Sequence, residues 1–243
     1  MRIGAWCLVL SAWCVVAGCG RPKIERVEWP VMDTVAAVQF RGGPADRDVV
    51  EAVRVAFEKT NAEFNAFDAQ SAIRRTGNCT AFGRPCWDFA FKLKDETGGA
   101  FDPQWQGKGK LDFGAVAKGF AVDVAAERVK ALKPSADVLI DLGGNLKAVK
   151  GDWTVGIKDG EPFALHEGGA CATSARYYRG DHIKDGRTGA DVANGVYSAT
   201  VTHPSSAMIA DGLSTVVFIL GRVKGEAFLK DHYPVASALW LGE

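Results

Sequence analysis

Apolar residues at Val49, Val53, Phe57 and Phe64 recur near helical spacing with charges between them, so Asp46 to Phe64 is expected to be a surface helix with one buried stripe. A second helix is expected over Cys86 to Thr97, broken by Gly98-Gly99. Val116, Phe120, Val124 and Ala125 share a face that Val129 and Leu132 extend, and Pro134 follows, giving a third helix from about Val116 to Leu132. Met208 to Leu220 reads as a buried helix stopped by Gly221.

Strand patterns lie between these segments. Thr34 to Phe40 is a strand by composition, ended by Gly42-Gly43-Pro44. Val138 to Leu142 is a short buried strand ending at Gly143-Gly144, and Trp153 to Ile157 alternates as its neighbour in a sheet would. Tyr197 to Thr202 and Ala236 to Trp240 are further strands. Helices and strands mix without regular βαβ units, so the expected class is α+β with antiparallel sheets and packed helices. There is no internal repeat and no low-complexity segment.

The start of the chain departs from this pattern. Met1-Arg2 precedes an apolar run from Ile3 to Ala17, shorter than the ~20 residues that cross a bilayer and closing on Val16-Ala17-Gly18-Cys19. That layout predicts a signal peptide over 1–18, and Val-Ala-Gly-Cys resembles the bacterial lipobox, which makes Cys19 the lipidated residue. An ordinary signal peptide with a chance cysteine is the alternative. Residues 19–30, with Pro22 and Pro30 and little periodicity, are expected to be a tether, and 31–243 the folded domain. The expected location is the periplasmic side of a bacterial membrane, outer or inner.

The 29 basic and 29 acidic residues balance, which argues against a nucleic-acid surface or a polybasic membrane patch. After the signal, three cysteines remain besides Cys19. Cys79 and Cys86 are expected to be either a local disulfide or two unpaired thiols, because a metal knuckle would need more ligands than the neighbourhood supplies.

Two features carry candidate chemistry. Asp112-Phe113-Gly114-Ala115-Val116-Ala117-Lys118-Gly119 is a small-residue turn feeding a helix, where free N–H groups and Lys118 favour an anion such as a pyrophosphate. Asp211 and Thr215 stand four apart, which puts their oxygens on one helical face. Taken singly, both are ordinary: such turns are common, and Asp211 and Thr215 fit a solvated residue and core filler.

Their setting changes the reading. Met32-Asp33-Thr34, Asn65-Ala66-Phe67-Asp68 with Ser71 and Ile73, and Gly98-Gly99-Ala100-Phe101-Asp102-Pro103 occur in order, followed by Leu111 to Asp123 and Ile140-Asp141-Leu142-Gly143-Gly144-Asn145. Then come Trp153 to Ile157, Ala172-Thr173-Ser174, His182-Ile183-Lys184-Asp185-Gly186-Arg187-Thr188-Gly189 and Ala210-Asp211-Gly212-Leu213-Ser214-Thr215. This series resembles the FAD:protein FMN transferases, the ApbE family of flavin transferases, once described as thiamine-biosynthesis lipoproteins. The resemblance implies an ApbE-like, T-fold-related architecture and magnesium-dependent transfer of FMN from FAD to a Thr or Ser hydroxyl of an exported acceptor protein, with AMP leaving.

By the same resemblance, Asp211 and Thr215 ligate Mg2+ with the Ala115 carbonyl and that of Ser214, and Asp211 is counted with the catalytic residues. His182 helps deprotonate the acceptor hydroxyl. Met32 and Phe67 lie near the flavin ring, Ala100, Phe101, Asp102 and Ile183 around the ligand, and Asp112 and Lys118 nearer the adenosine and phosphates. Departures are Phe67 for tyrosine, Gly186 for proline, Ala175 for glycine, and only residues 104–110 where the family has several dozen. The shortened link keeps two other readings open: FAD hydrolysis to FMN and AMP, and a flavin-binding lipoprotein without turnover. Tyr197-Ser198-Ala199-Thr200 faintly resembles an acceptor sequence, but its place fits a strand of the fold.

Overall fold

The structure, a computed structural model, describes residues 22–177 and 183–242. Signal peptide, Cys19 and His182 lie outside the described residues. The chain forms β1 (Ile24–Val31), β2 (Thr34–Arg41), α1 (Arg47–Phe64), α2 (Ala72–Thr76), α3 (Arg84–Glu96) and α4 (Ala117–Leu132). It continues through β3 (Val138–Leu142), β4 (Asn145–Ala148), β5 (Trp153–Val155), β6 (Phe163–Leu165), β7 (Ala170–Ala175), β8 (Val196–His203), α5 (Ala207–Leu220), α6 (Arg222–His232) and β9 (Ser237–Gly242). Seven strands make one antiparallel sheet in the order β1-β2-β3-β4-β7-β8-β9, and β5 pairs with β6 alone.

The expected class is therefore the observed one, and two expectations are corrected. Residues 24–30, read as tether, are strand β1. Val27, Trp29 and Val31 alternate inward, Trp29 packs on Phe57 of α1 at 6.1 Å, and every residue from Ile24 to Val31 is in register with β2. Pro30 obscured this, but proline is tolerated on an edge strand. Trp153 to Ile157 does not join β3: β5 and β6 form a hairpin laid over the opposite sheet face, where Trp153, Val155 and Leu165 bury Leu139, Ala148 and Cys171. Cys79, Cys86 and Cys171 are free thiols, so the disulfide alternative is set aside.

The helices share one face of the sheet. α1 and α4 close a core with Ala36, Val38, Ile140 and Leu142, and α3, α5 and α6 close a second with Ala199 and Val201. α5 is apolar almost all round, as a helix enclosed by neighbours must be. No helix among the described residues is long and apolar enough to cross a membrane.

Antiparallel register collects several segments at one end of the sheet. There the chain reverses at Met32-Asp33, both in the left-handed region, and at Gly143-Gly144. A side chain at Gly143 would place its Cβ 2.4 Å from Thr34 Oγ1, so this corner needs glycine. β7 leaves and β8 enters at the same end.

Candidate active site

The site begins with two antiparallel helices that approach more closely than side chains permit. At Gly119 on α4, a Cβ would lie 2.2 Å from the Ala207 carbonyl oxygen and 2.7 Å from the Asp211 Cβ of α5. The glycine lets its own N–H turn from the helix ladder and donate to Asp211 Oδ2 at 2.9 Å. In a regular helix that N–H would bond the carbonyl four residues back, which is Ala115. Among the described residues no backbone N–H reaches the Ala115 oxygen, so it stands free at the head of α4.

Asp211 is 5% exposed. Burial raises its pKa above the usual carboxylate range, while Lys118 and the Gly119 N–H act in the opposite direction. Lys118 Nζ lies 3.9 Å from Asp211 Oδ2 and donates to the Gly114 carbonyl at 2.5 Å. Both protein contacts fall on Oδ2, leaving Oδ1 without a hydrogen bond among the described residues.

Thr215 shares its helical face with Asp211, as the four-residue spacing requires. Ser174 Oγ, next to the end of β7, lies 3.2 Å from Thr215 Oγ1 and 2.9 Å from Ser214 Oγ. Ser214 Oγ also donates to the Asp211 carbonyl at 2.9 Å. Its hydroxyl thus braces the oxygen set, and its carbonyl, inside α5, keeps a second lone pair beyond the helix's own hydrogen bond. Asp211 Oδ1, the Ala115 carbonyl and Thr215 Oγ1 are hard oxygen donors of the kind magnesium prefers. Among the described residues there is no group of three His, Cys, Asp or Glu for a softer metal.

The shortened link over residues 104–110 folds into a compact turn. Asp112 N donates to the Pro103 carbonyl at 2.8 Å and Trp105 Nε1 to Asp112 Oδ2 at 3.3 Å, so the Asp102 and Asp112 segments meet without a longer insertion. Asp112 Oδ1 accepts from Gly114 N at 2.9 Å and shapes the turn before α4. Asp102 pairs with Lys94 at 2.9 Å, and Ala100 and Phe101 are buried beside it. The 183–191 loop docks at this turn: Gly186 N donates to the Ala100 carbonyl at 2.9 Å, and Ile183 packs on the same core. Arg187 beside Asp185 holds that carboxyl below its usual range.

Met32 packs against both helix-side cores at its hairpin tip. Phe67 is 89% exposed on a turn fixed by Asn65 Oδ1, which accepts from Phe67 N at 2.9 Å and Asp68 N at 3.2 Å. A large aromatic so exposed suits contact with a flat ligand.

Ser174, Asn145 and Asp123 stand in the segments that carry the resemblance but were given no role, and Lys147 and His203 were not read as parts of this region. Asn145 is 3% exposed at the same sheet end, and its Oδ1 has no hydrogen-bond partner among the described residues. His203 Nδ1 accepts from Ser206 N at 3.0 Å and Ser205 N at 3.3 Å ahead of α5. Burial pushes its pKa down, Lys147 adds to that, and Asp123 opposes it. A lowered histidine pKa means that the unfolded chain binds the proton first. This contribution to stability is complete above the unfolded pKa, about 6.5, and is lost as pH falls toward the folded value. Thermal unfolding should thus occur at lower temperature at about pH 5.5 than at about pH 7.5, with a smaller difference in His203→Asn.

The chain is similar to known proteins in sequence and in fold. Residues 104–240 match the ApbE family. The FAD:protein FMN transferase of Klebsiella pneumoniae (strain 342) is 34% identical over 140 residues, 51% of this chain and 43% of that protein. The FAD:protein FMN transferase of Treponema pallidum (strain Nichols) is 30% identical over 162 residues, 54% of this chain and 43% of its own length. The chain thus matches less than half the length of these curated relatives. The flavin transferase ApbE from Vibrio cholerae superposes with a TM-score of 0.76 at 20% identity, covering 91% of this chain and 94% of that one. The ApbE protein from Thermotoga maritima gives 0.79 at 21% identity, covering 90% and 94%. Family match and fold together identify the chain as a member of the ApbE family.

Proposed function

We propose that this chain is an FAD:protein FMN transferase that moves FMN from FAD to a Thr or Ser hydroxyl of an exported acceptor protein. The observation that carries the reading is the Gly119 N–H bonded to Asp211 of α5 in place of the Ala115 carbonyl, which accepts no backbone N–H among the described residues. Such an oxygen set fits Mg2+, which when bound would neutralise pyrophosphate charge. Lys118, at the head of α4, adds positive charge for the same phosphates.

In the transfer, the acceptor oxygen forms a bond to the phosphorus on the FMN side of the pyrophosphate. The bond from that phosphorus to the bridging oxygen breaks, and AMP leaves. The hydroxyl proton passes to a base, and His182 is the residue we assign to that role. Met32 and Phe67 receive the flavin ring, and Ala100, Phe101, Asp102, Asp112 and Ile183 border the rest of FAD. We place the protein on the periplasmic side of a bacterial membrane, anchored through Cys19, on the strength of the signal-like start and the lipobox resemblance.

Purified protein incubated with FAD, Mg2+ and an acceptor domain tests this reading. A covalent FMN adduct on the acceptor is expected. Free FMN with AMP and no adduct would make the chain a pyrophosphatase, and bound but unchanged FAD a flavin carrier.

A further inference from the structure

We propose that Asp123 is a positioning residue for the cation site, holding α5 against α4 in the register that assembles it; this rests on the functional reading above. The Asp123 carboxylate accepts four hydrogen bonds. Oδ1 receives Ala207 N at 2.9 Å and Lys147 Nζ at 2.6 Å, and Oδ2 receives Ser206 Oγ at 2.7 Å and Met208 N at 3.0 Å.

Ala207 and Met208 open α5, so a carboxylate on α4 satisfies first-turn donors that a helix cannot satisfy itself. Ser206, the N-cap, accepts from Ile209 N at 3.1 Å while donating to Asp123. Lys147, with its side chain 4% exposed, also donates to the Ser205 carbonyl at 2.6 Å and ties the turn to β4.

This joint mirrors the one at the site. Asp123 lies one helical turn after Gly119, and the opening of α5 lies one turn before Asp211. At one level an α4 amide meets an α5 carboxylate; at the next an α4 carboxylate meets α5 amides. Two reciprocal contacts a turn apart fix both the sliding and the rotation of α5. Those two motions decide whether Asp211 and Thr215 face the Ala115 carbonyl. Asp123 touches none of these oxygens and acts through the helix.

The test uses the full chain, Asp123→Asn, and Asp123→Asn combined with Lys147→Met, which removes the buried ammonium whose charge Asp123 neutralises. FAD affinity is measured by flavin fluorescence with and without Mg2+, alongside thermal unfolding. In the wild type Mg2+ should tighten FAD binding; in Asp123→Asn that gain should fall by about tenfold or more, as for residues that orient metal ligands. The double variant should recover the unfolding temperature but not the Mg2+ gain. A wild-type gain in Asp123→Asn, or recovery of gain and stability together in the double variant, would overturn the positioning role. No Mg2+ effect in the wild type would instead overturn the cation site, and the inference with it.

Discussion

Asp211→Ala is expected to lower Mg2+-dependent FAD turnover by about a thousandfold, because it removes the only carboxylate of the proposed cation site and with it several kcal/mol of charge stabilisation in the transition state. The fold should survive. Burial already disfavours the ionised Asp211, and among the described residues its carboxylate meets one N–H at 2.9 Å and one ammonium at 3.9 Å. The midpoint of thermal unfolding without ligand should therefore change by only a few degrees, roughly 5 °C at most. Product formation from FAD and a melting curve on the same sample check both halves. Turnover close to wild type in a folded Asp211→Ala protein would place the chemistry elsewhere.

Gly119→Ala should have the largest effect on the fold itself. Its Cβ would stand 2.2 Å from the Ala207 carbonyl oxygen and 2.6 Å from the carbonyl carbon. No rotamer relieves a clash with backbone, so the helices must separate. We expect destabilisation of about 3 kcal/mol, a fall of roughly 6–12 °C in melting temperature, and loss of the Mg2+ gain in FAD affinity. Gly43→Ala, where an added Cβ meets nothing within 4 Å, is the control. Melting curves of the two variants side by side decide the matter, and equal midpoints would refute the close approach of α4 and α5.

How far the sequence carried these conclusions differs by feature. The 3.6-residue stripe of Val49, Val53 and Phe57 predicted α1, and the uniform apolarity of Met208 to Leu220 predicted α5, because burial writes itself into periodicity. β1 was hidden: Arg26 and Glu28 fill its outer face, Glu25 shares the inward side with Val27 and Trp29, and Pro30 resembles a linker residue until β2 is seen beside it. β6 has only three residues and β7 is built of small ones, so alternation gave little to read.

At the site, Asp211 and Thr215 were legible as a spacing and Ala115 as part of a resemblance. What no spacing reveals is that Gly119 diverts its N–H to a carboxylate ninety-two residues away and so frees the Ala115 oxygen. Asp123, Lys147 and Ser206 escaped for the same reason. Their chemistry exists only between elements, and each alone is an ordinary charged or capping residue.

By the proposed function, α4 and α5 build one cation site for FAD. Anomalous diffraction from crystals grown with FAD and Mn2+ as a magnesium substitute tests it most directly. One strong peak is expected, bounded by the Asp211 carboxylate, Thr215 Oγ1 and the Ala115 carbonyl, beside the FAD pyrophosphate. FAD bound with no peak there, or a peak held by other residues, would contradict it.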